Sequence, residues 1–147
     1  MAALPATSGA TRVNMEETLV STRGFTLIEL LIVVVIIGIL AAIAVPKFSA
    51  TKEKAYLGTM KSDLRNLATA EESYFYDNNT YYGGVVPNAA FQFNTTKDVN
   101  IGIQEATVAG WSATATHPGA PGKTCAVFYG NATAVAPATS EGEITCQ

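Results

Sequence analysis

Charge is sparse in this chain and missing altogether from one long stretch. Nine Lys and Arg and twelve Asp and Glu are spread over 147 residues, and the sixteen positions from Leu30 to Val45 hold none of them. There is one histidine, His117, set just before Pro118-Gly119 with no recognisable partner. Two cysteines, Cys125 and Cys146, are too far apart for a C-x-x-C pair. No nucleophile motif, glycine-rich phosphate loop or spaced set of metal ligands is present. These absences leave no legible catalytic residue, no metal site and no call for a cofactor. They also exclude a thioredoxin-like redox motif and a zinc pattern. With a net charge of −3 and no basic patch, nothing argues for nucleic acid as a partner.

What the chain does have is an apolar run. Phe25 to Val45 is twenty-one residues, ~31 Å as a helix and close to the ~30 Å hydrocarbon core of a bilayer. One carboxylate interrupts it, Glu29. Such a group costs roughly 2.5–3.5 kcal/mol at the bilayer centre and less near the interface. Glu29 is therefore a candidate functional residue in need of a positive partner. Proteolysis supplies one. Gly24 has no side chain, so a protease can approach the Gly24–Phe25 bond closely. Cutting there creates an amine on Phe25, four residues before Glu29. Carboxylate and ammonium each carry a penalty of several kcal/mol alone in hydrocarbon. When many copies pack side by side, each Glu29 can neutralise the Phe25 amine of a neighbour. A secretory signal has a shorter apolar region with the cut after it; here the run is longer and the cut precedes it. A plain anchor explains the length but neither Glu29 nor Arg23-Gly24-Phe25.

The stretch Gly24-Phe25-Thr26-Leu27-Ile28-Glu29-Leu30-Leu31, continuing without charge past Gly38 to Pro46-Lys47-Phe48, resembles the N-terminus of type IV pilins and of the type II secretion pseudopilins. The likeness is close over residues 23–48 and looser to Tyr76. It implies that a prepilin peptidase cleaves Gly24–Phe25 and N-methylates Phe25. It also implies that the chain waits in the inner membrane as a single-pass subunit, surrounded by lipid. Inner-membrane pilus assembly machinery then polymerises it with itself into an extracellular filament whose centre is the apolar segment. The expected divisions are a leader at 1–24 (or from Met15, an alternative start), a membrane or filament-core helix at 25–46, an amphipathic continuation at 47–76 and a globular head at 77–147. The flanking charges, Arg12 and Arg23 before the span against Lys47, Lys52 and Lys54 after it, point weakly the other way under the positive-inside rule. A cytoplasmic N-terminus rests on the resemblance and on cysteines suited to an oxidising compartment.

Between Lys47 and Tyr76 there is one glycine, Gly58, and no proline. Tyr56, Met60, Leu64, Leu67, Ala68 and Phe75 form a helical stripe, and Lys52, Lys54, Lys61, Asp63, Arg65 and Glu72 are assigned to other faces. Asp77-Asn78-Asn79-Thr80 is the expected stop. Residues 47–65 carry five cations and two carboxylates, and residues 66–80 only Glu71, Glu72 and Asp77. This segregation suits either a solvated face or a register between staggered copies. Gly38 and Pro46 are weak points of the helix. They suit a mild kink, or a segment that loosens on leaving lipid, as the resemblance implies.

The C-terminal half alternates in strand fashion at 98–104, 110–117 and 124–129, with a short fourth strand at 143–146. Three or four antiparallel strands covering the helix stripe make an α+β fold, the pilin fold. Residues 77–97 are expected to be a surface loop. Outside the cytoplasm Cys125 and Cys146 are expected to pair and to tie down the Thr/Ala-rich segment 132–140; the resemblance agrees, since many type IV pilins close such a loop and major pseudopilins typically do not.

The reading is a structural subunit of a type IV pilus, not an enzyme. The alternatives are a pseudopilin or minor pilin and, from another class, a membrane-anchored extracytoplasmic binding module. The processing step is testable. Gly24→Val should block cleavage by bulk alone, and N-terminal sequencing of the unaltered mature chain should begin at methylated Phe25. A mature N-terminus at Met1, or near Ala42–Ala44, would reject it.

Overall fold

A computed structural model describes residues 24–89 and 91–147. The expected leader, with Arg12, Met15 and Arg23, lies outside the described residues. The element order is a helix α1 (Leu27–Asn78) followed by strands β1 (Asn100–Ala106), β2 (Gly110–Thr116), β3 (Thr124–Gly130) and β4 (Thr145–Cys146). The strands form one antiparallel sheet in the order β1-β2-β3-β4. The arrangement is α+β, with a long apolar N-terminal helix and an open sheet, as expected.

The described residues divide into two compact units, one ending at Ile39 and the other running from Leu40 to Gln147. In the described part of the first, every residue is exposed. This part of α1 has no amphipathic face because it is apolar all round, the pattern of a helix made for lipid or for other helices. Gly38 and Pro46 both lie inside α1.

The second unit has a conventional core. Met60, Leu64 and Leu67, spaced three and four residues apart on one helix face, are fully buried. They share a cluster with the inward side chains of the sheet, Ile101 of β1, Trp111, Ala113 and Ala115 of β2, and Cys125 and Val127 of β3. The register aligns these in rows: Ile103, Ala113 and Val127 in one, Ile101, Ala115 and Cys125 in the next. Trp111 stands opposite Tyr129, their rings stacked 5.1 Å apart. Small residues on the central strand keep the inner surface of the sheet shallow where bulky helix side chains meet it. A register shift between Ile103 and Glu105 bulges β1. Ser112 and Ala126, which alternate to the other face, are buried as well. The sheet is thus not apolar on one side and wet on the other, as the alternation alone implied. The C-terminal segment returns along β3, where Gly142 N–H donates to the Phe128 carbonyl and Gly130 N–H to Glu141 Oε1.

Two expectations are corrected here. Residues 77–97 are not simply a surface loop, since Val86, Phe91 and Phe93 from it are buried in the core. Phe91 stacks on Tyr82 at 4.3 Å and meets the edge of Tyr74 at 5.7 Å. Aromatic packing closes the side of the core that a small sheet leaves open. Asp63, placed on a solvated face by the sequence, is buried, and Glu71, counted with the solvated charges, is fully buried. Both carboxylates hold the loop. Asp63 accepts Thr96 N–H and Thr96 Oγ1–H, each at 2.7 Å, and Glu71 Oε2 accepts Tyr82 N–H at 2.8 Å. The helix ends two residues beyond Tyr76. Asn79, in the left-handed region at φ 54°, donates its N–H to Phe75 O and closes the end.

Cys125 and Cys146 face each other across β3 and β4 and form a disulfide. Beyond it, Thr124 and Gln147 exchange backbone hydrogen bonds of 3.1 and 3.0 Å. A two-residue strand holds few bonds of its own, so the covalent link secures the edge.

Burial pushes the Glu71 carboxyl up to about 7, with the charge of Glu72 adding to the shift and the Tyr82 N–H opposing it. The folded state therefore keeps a proton that the unfolded chain releases near pH 4.5. The associated stability is complete below that pH and is lost as pH rises through about 7. Glu71→Gln should flatten the stability profile over this window and raise stability at pH 8 by on the order of 1–2 kcal/mol. Denaturant midpoints of the detergent-solubilised chain at several pH values check this; a variant with the parental pH slope would refute it. Cys146→Ser should cost about 3 kcal/mol, the chain-entropy value for a loop of this size, and open residues 131–147 to proteases. Free thiols that alkylate in the non-reduced native protein would show the pair is not structural.

Candidate functional site

Thr26 and Glu29, at the start of the apolar run, meet within one helical turn. α1 begins at Leu27, which makes Thr26 the N-cap and Glu29 the third helical residue. Four N–H groups at a helix start have no partner within the helix. Here the side chains of Thr26 and Glu29 supply acceptors reciprocally. Glu29 N–H donates to Thr26 Oγ1 at 3.3 Å, while Glu29 Oε2 accepts Thr26 N–H at 2.9 Å and Thr26 Oγ1–H at 2.6 Å. This is a capping box, whose sequence signature is Thr or Ser followed three residues later by Glu or Gln. The signal Thr26-Leu27-Ile28-Glu29 stands in the sequence, and reasoning about Glu29 as a lone charge in an apolar segment passed over it. Glu29 thus has a local partner before any neighbouring amine arrives. The negative group also sits at the positive end of the helix dipole.

Phe25 is exposed, and a Cβ built on Gly24 meets nothing within 4 Å. Among the described residues nothing demands glycine at 24, so they would not by themselves account for intolerance of a larger residue. Gly38 is equally unconfined. Gly24 and Phe25 precede the helix and Glu29 lies in its first turn, bound to Thr26; Gly38 and Pro46 lie further along the same helix, and Cys125 and Cys146 belong to the sheet.

His117 has partners the sequence did not reveal. Its ring stacks on Tyr56 at 4.2 Å, and its Nδ1 accepts the Gly119 N–H at 2.9 Å. A Cβ on Gly119 would sit 2.7 Å from Tyr56 Cζ, so glycine lets the 117–123 loop lie on the helix. These bonds give the histidine a packing role. A groove of about 700 Å³ beside α1, lined by Asn66, Ser73, Asp77, Gln92 and Asn94 among others, contains one carboxylate and no histidine or cysteine. The described part of the chain contains one helix long and apolar enough to cross a membrane.

The family described as the prokaryotic N-terminal methylation motif matches residues 20–45. Type IV major pilin protein PilA of Myxococcus xanthus is 51% identical over 59 residues, 40% of this chain and 27% of that protein. Type II secretion system core protein G of Pectobacterium carotovorum is 46% identical over 59 residues, 40% of this chain and 38% of that protein. Type IV wide pilus major component PilA4 of Thermus thermophilus is 43% identical over 61 residues, 42% of this chain and 47% of that protein. The chain thus matches less than half the length of each of these relatives. Over its N-terminal two fifths, which hold the methylation motif and the capped apolar helix, the chain is similar to a type IV major pilin and to type II secretion core protein G.

Proposed function

We propose that the chain is the structural subunit of a type IV pilus. It is cleaved between Gly24 and Phe25, methylated on Phe25, held in the inner membrane by its apolar helix and then polymerised into an extracellular fibre. One observation carries this reading. Phe25 and every large apolar side chain from there to Val45 are exposed, from Val33 at 44% to Leu27 at 80%. A surface of that size and uniformity needs lipid first and other copies of the same helix later. A structural role suits a site built of a capped helix end and no reactive pair. The division into leader, core helix, amphipathic continuation and head follows from the same reading. Gly38 and Pro46 are then the positions where the helix would loosen on leaving lipid, because Pro46 deprives the Ala42 carbonyl of its donor.

A pseudopilin of a type II secretion system is the second reading, favoured by the match to core protein G. The Cys125–Cys146 disulfide supports the pilus reading over it, given the resemblance described above.

Glu29 provides the decisive experiment, because two substitutions separate its charge from its capping bond. Glu29→Gln keeps an acceptor for Thr26, since Gln also completes a capping box, but leaves each neighbouring Phe25 amine unpaired in the fibre core at roughly 3–5 kcal/mol. It should be cleaved and inserted normally, and fibres should disappear while membrane-bound monomer accumulates. Glu29→Leu should lose the cap as well and fray the first turn. Normal numbers of normal-length fibres from Glu29→Gln cells, counted by electron microscopy after shearing, would mean that charge pairing does not drive assembly and that Glu29 serves the helix cap alone.

A further inference from the structure

Three lysines follow the end of the apolar run. Lys47, Lys52 and Lys54 lie ~3, ~10.5 and ~13.5 Å beyond Val45 along the helix. All three are exposed, as is Phe48 among them. The one carboxylate between Glu29 and Asp63 is Glu53, and it faces Lys123 of the 117–123 loop at 3.8 Å. Among the described residues the three lysines therefore have no carboxylate partner. Lys52 has a different neighbour. Its Nζ lies 5.5 Å from the centre of the Phe48 ring, one turn back towards the apolar run. Helix side chains lean towards the N-terminus, so the charge is drawn back to the level of the ring, close enough for the two to attract.

The placement of these charges around α1 bears on what could meet them. The head packs on the face that holds Tyr56, Met60, Leu64 and Leu67. At about 100° per residue, Lys52 is turned ~75° from the middle of that face, Lys54 ~125° and Lys47 ~145°. Lys47 and Lys54 lie within ~20° of each other, and Lys52 stands ~140–160° from them on the opposite side of the helix. One protein surface does not reach both sides at once, whereas lipid surrounds a helix that leaves a bilayer. The depth agrees. The headgroup layer adds about 5–8 Å to each side of the hydrocarbon, and Lys47 and Phe48 fall inside it. A reach of one turn back, ~5 Å, of the kind Lys52 shows, brings the ammonium groups of Lys52 and Lys54 to it as well. Lys61 and Arg65, ~24 and ~30 Å beyond Val45, do not come within range.

We propose that Lys47, Lys52 and Lys54 form a collar around α1 that binds the phosphate groups of anionic phospholipid on the head side of the bilayer, with Phe48 seated at the same level. This rests on the membrane-held state of the reading above. It makes the anionic lipid content of the membrane a control on how readily a subunit leaves lipid for a fibre. The test places a reporter at the collar. The full chain carrying Phe48→Trp is reconstituted sparsely in vesicles of phosphatidylcholine and phosphatidylglycerol. One lipid or the other is brominated in its chains, and the quenching of tryptophan fluorescence by each is compared. Trp111, fully buried in the head, gives a constant background. Phosphatidylglycerol should be enriched beside position 48 about fivefold or more, the equivalent of ~1 kcal/mol for one lysine near the surface. Lys47→Gln, Lys52→Gln and Lys54→Gln together should bring the enrichment to within about twofold of none. Arginine at the same three positions should keep it, and Lys61→Gln with Arg65→Gln should leave it unchanged. Folding is checked by an intact Cys125–Cys146 disulfide. Sodium phosphate should displace the lipid no better than sodium chloride of equal ionic strength, which separates a headgroup site from a free-anion site. Equal quenching by the two lipids in the parent would overturn the proposal and leave the membrane reading standing. Enrichment that needs crowded copies, that follows Lys61 and Arg65 instead, or that phosphate ions abolish specifically would overturn it too. No quenching by either lipid would overturn the collar and the membrane-held state together.

Discussion

Met60, Leu64 and Leu67 lose their contact with water because the sheet beyond them is shallow, with Ala113 and Ala115 at the centre of its inner face. A sheet of three full strands and a two-residue fourth cannot enclose a helix, so the remaining side is closed by the loop after α1. That loop has little regular structure and must be held from outside itself. Asp63 and Glu71, two turns apart on the same helix, hold it by its backbone N–H groups. These acceptors act together with the ring contacts of Phe91 with Tyr74 and Tyr82 in keeping the loop against the core. The C-terminal unit is thus organised by α1 twice over, through its apolar stripe and through the buried acids that flank it.

The two parts of α1 answer to different surroundings. Beyond residue 56 one face is buried, polar side chains take the others and charge is ordered by sign. From Leu27 to Val45 every residue is exposed and the polar exception, Glu29, is bound to Thr26. Exchange of lipid for neighbouring helices costs such a segment little, because hydrocarbon and packed apolar side chains are similar solvents. On the reading proposed here, selectivity has to come from elsewhere, and the carboxylate of Glu29 and the amine that cleavage would leave on Phe25 are where it can reside.

Much of this was legible in the sequence because the signals were local and repeated. The length of the apolar run, the position of Glu29, the helical stripe at Met60, Leu64 and Leu67, and three alternating strands each depend on residues close together in the chain. The alternation placed Trp111, Ala113 and Ala115 inward, where they are. What escaped was long-range. Glu71 does continue the stripe of Met60, Leu64 and Leu67, four residues after Leu67, but its partner Tyr82 lies eleven residues away, and the burial of Asp63 depends on Thr96, thirty-three residues away. Val86, Phe91 and Phe93 follow no period, so nothing marked them as core. His117 gained its partner from Tyr56, on an element sixty residues earlier. The capping box is a different kind of omission. It was local and readable, but the unusual cost of a charge in an apolar segment drew attention from its ordinary use at a helix start.

The bond between Thr26 and Glu29 bears on direction. On the reading proposed here, the carboxylate of Glu29 is hydrogen-bonded within its own chain while the subunit is in lipid and ion-paired to a neighbour once it is in the fibre. Each end state supplies a partner, so passage between them is an exchange of one donor for another and never strands a bare carboxylate in hydrocarbon. Such an exchange eases passage in both senses, while the ion pair formed with the neighbour favours the fibre. Lengthening and shortening of the fibre would share one chemical step, and the balance between them would be set by whatever force is applied at its base.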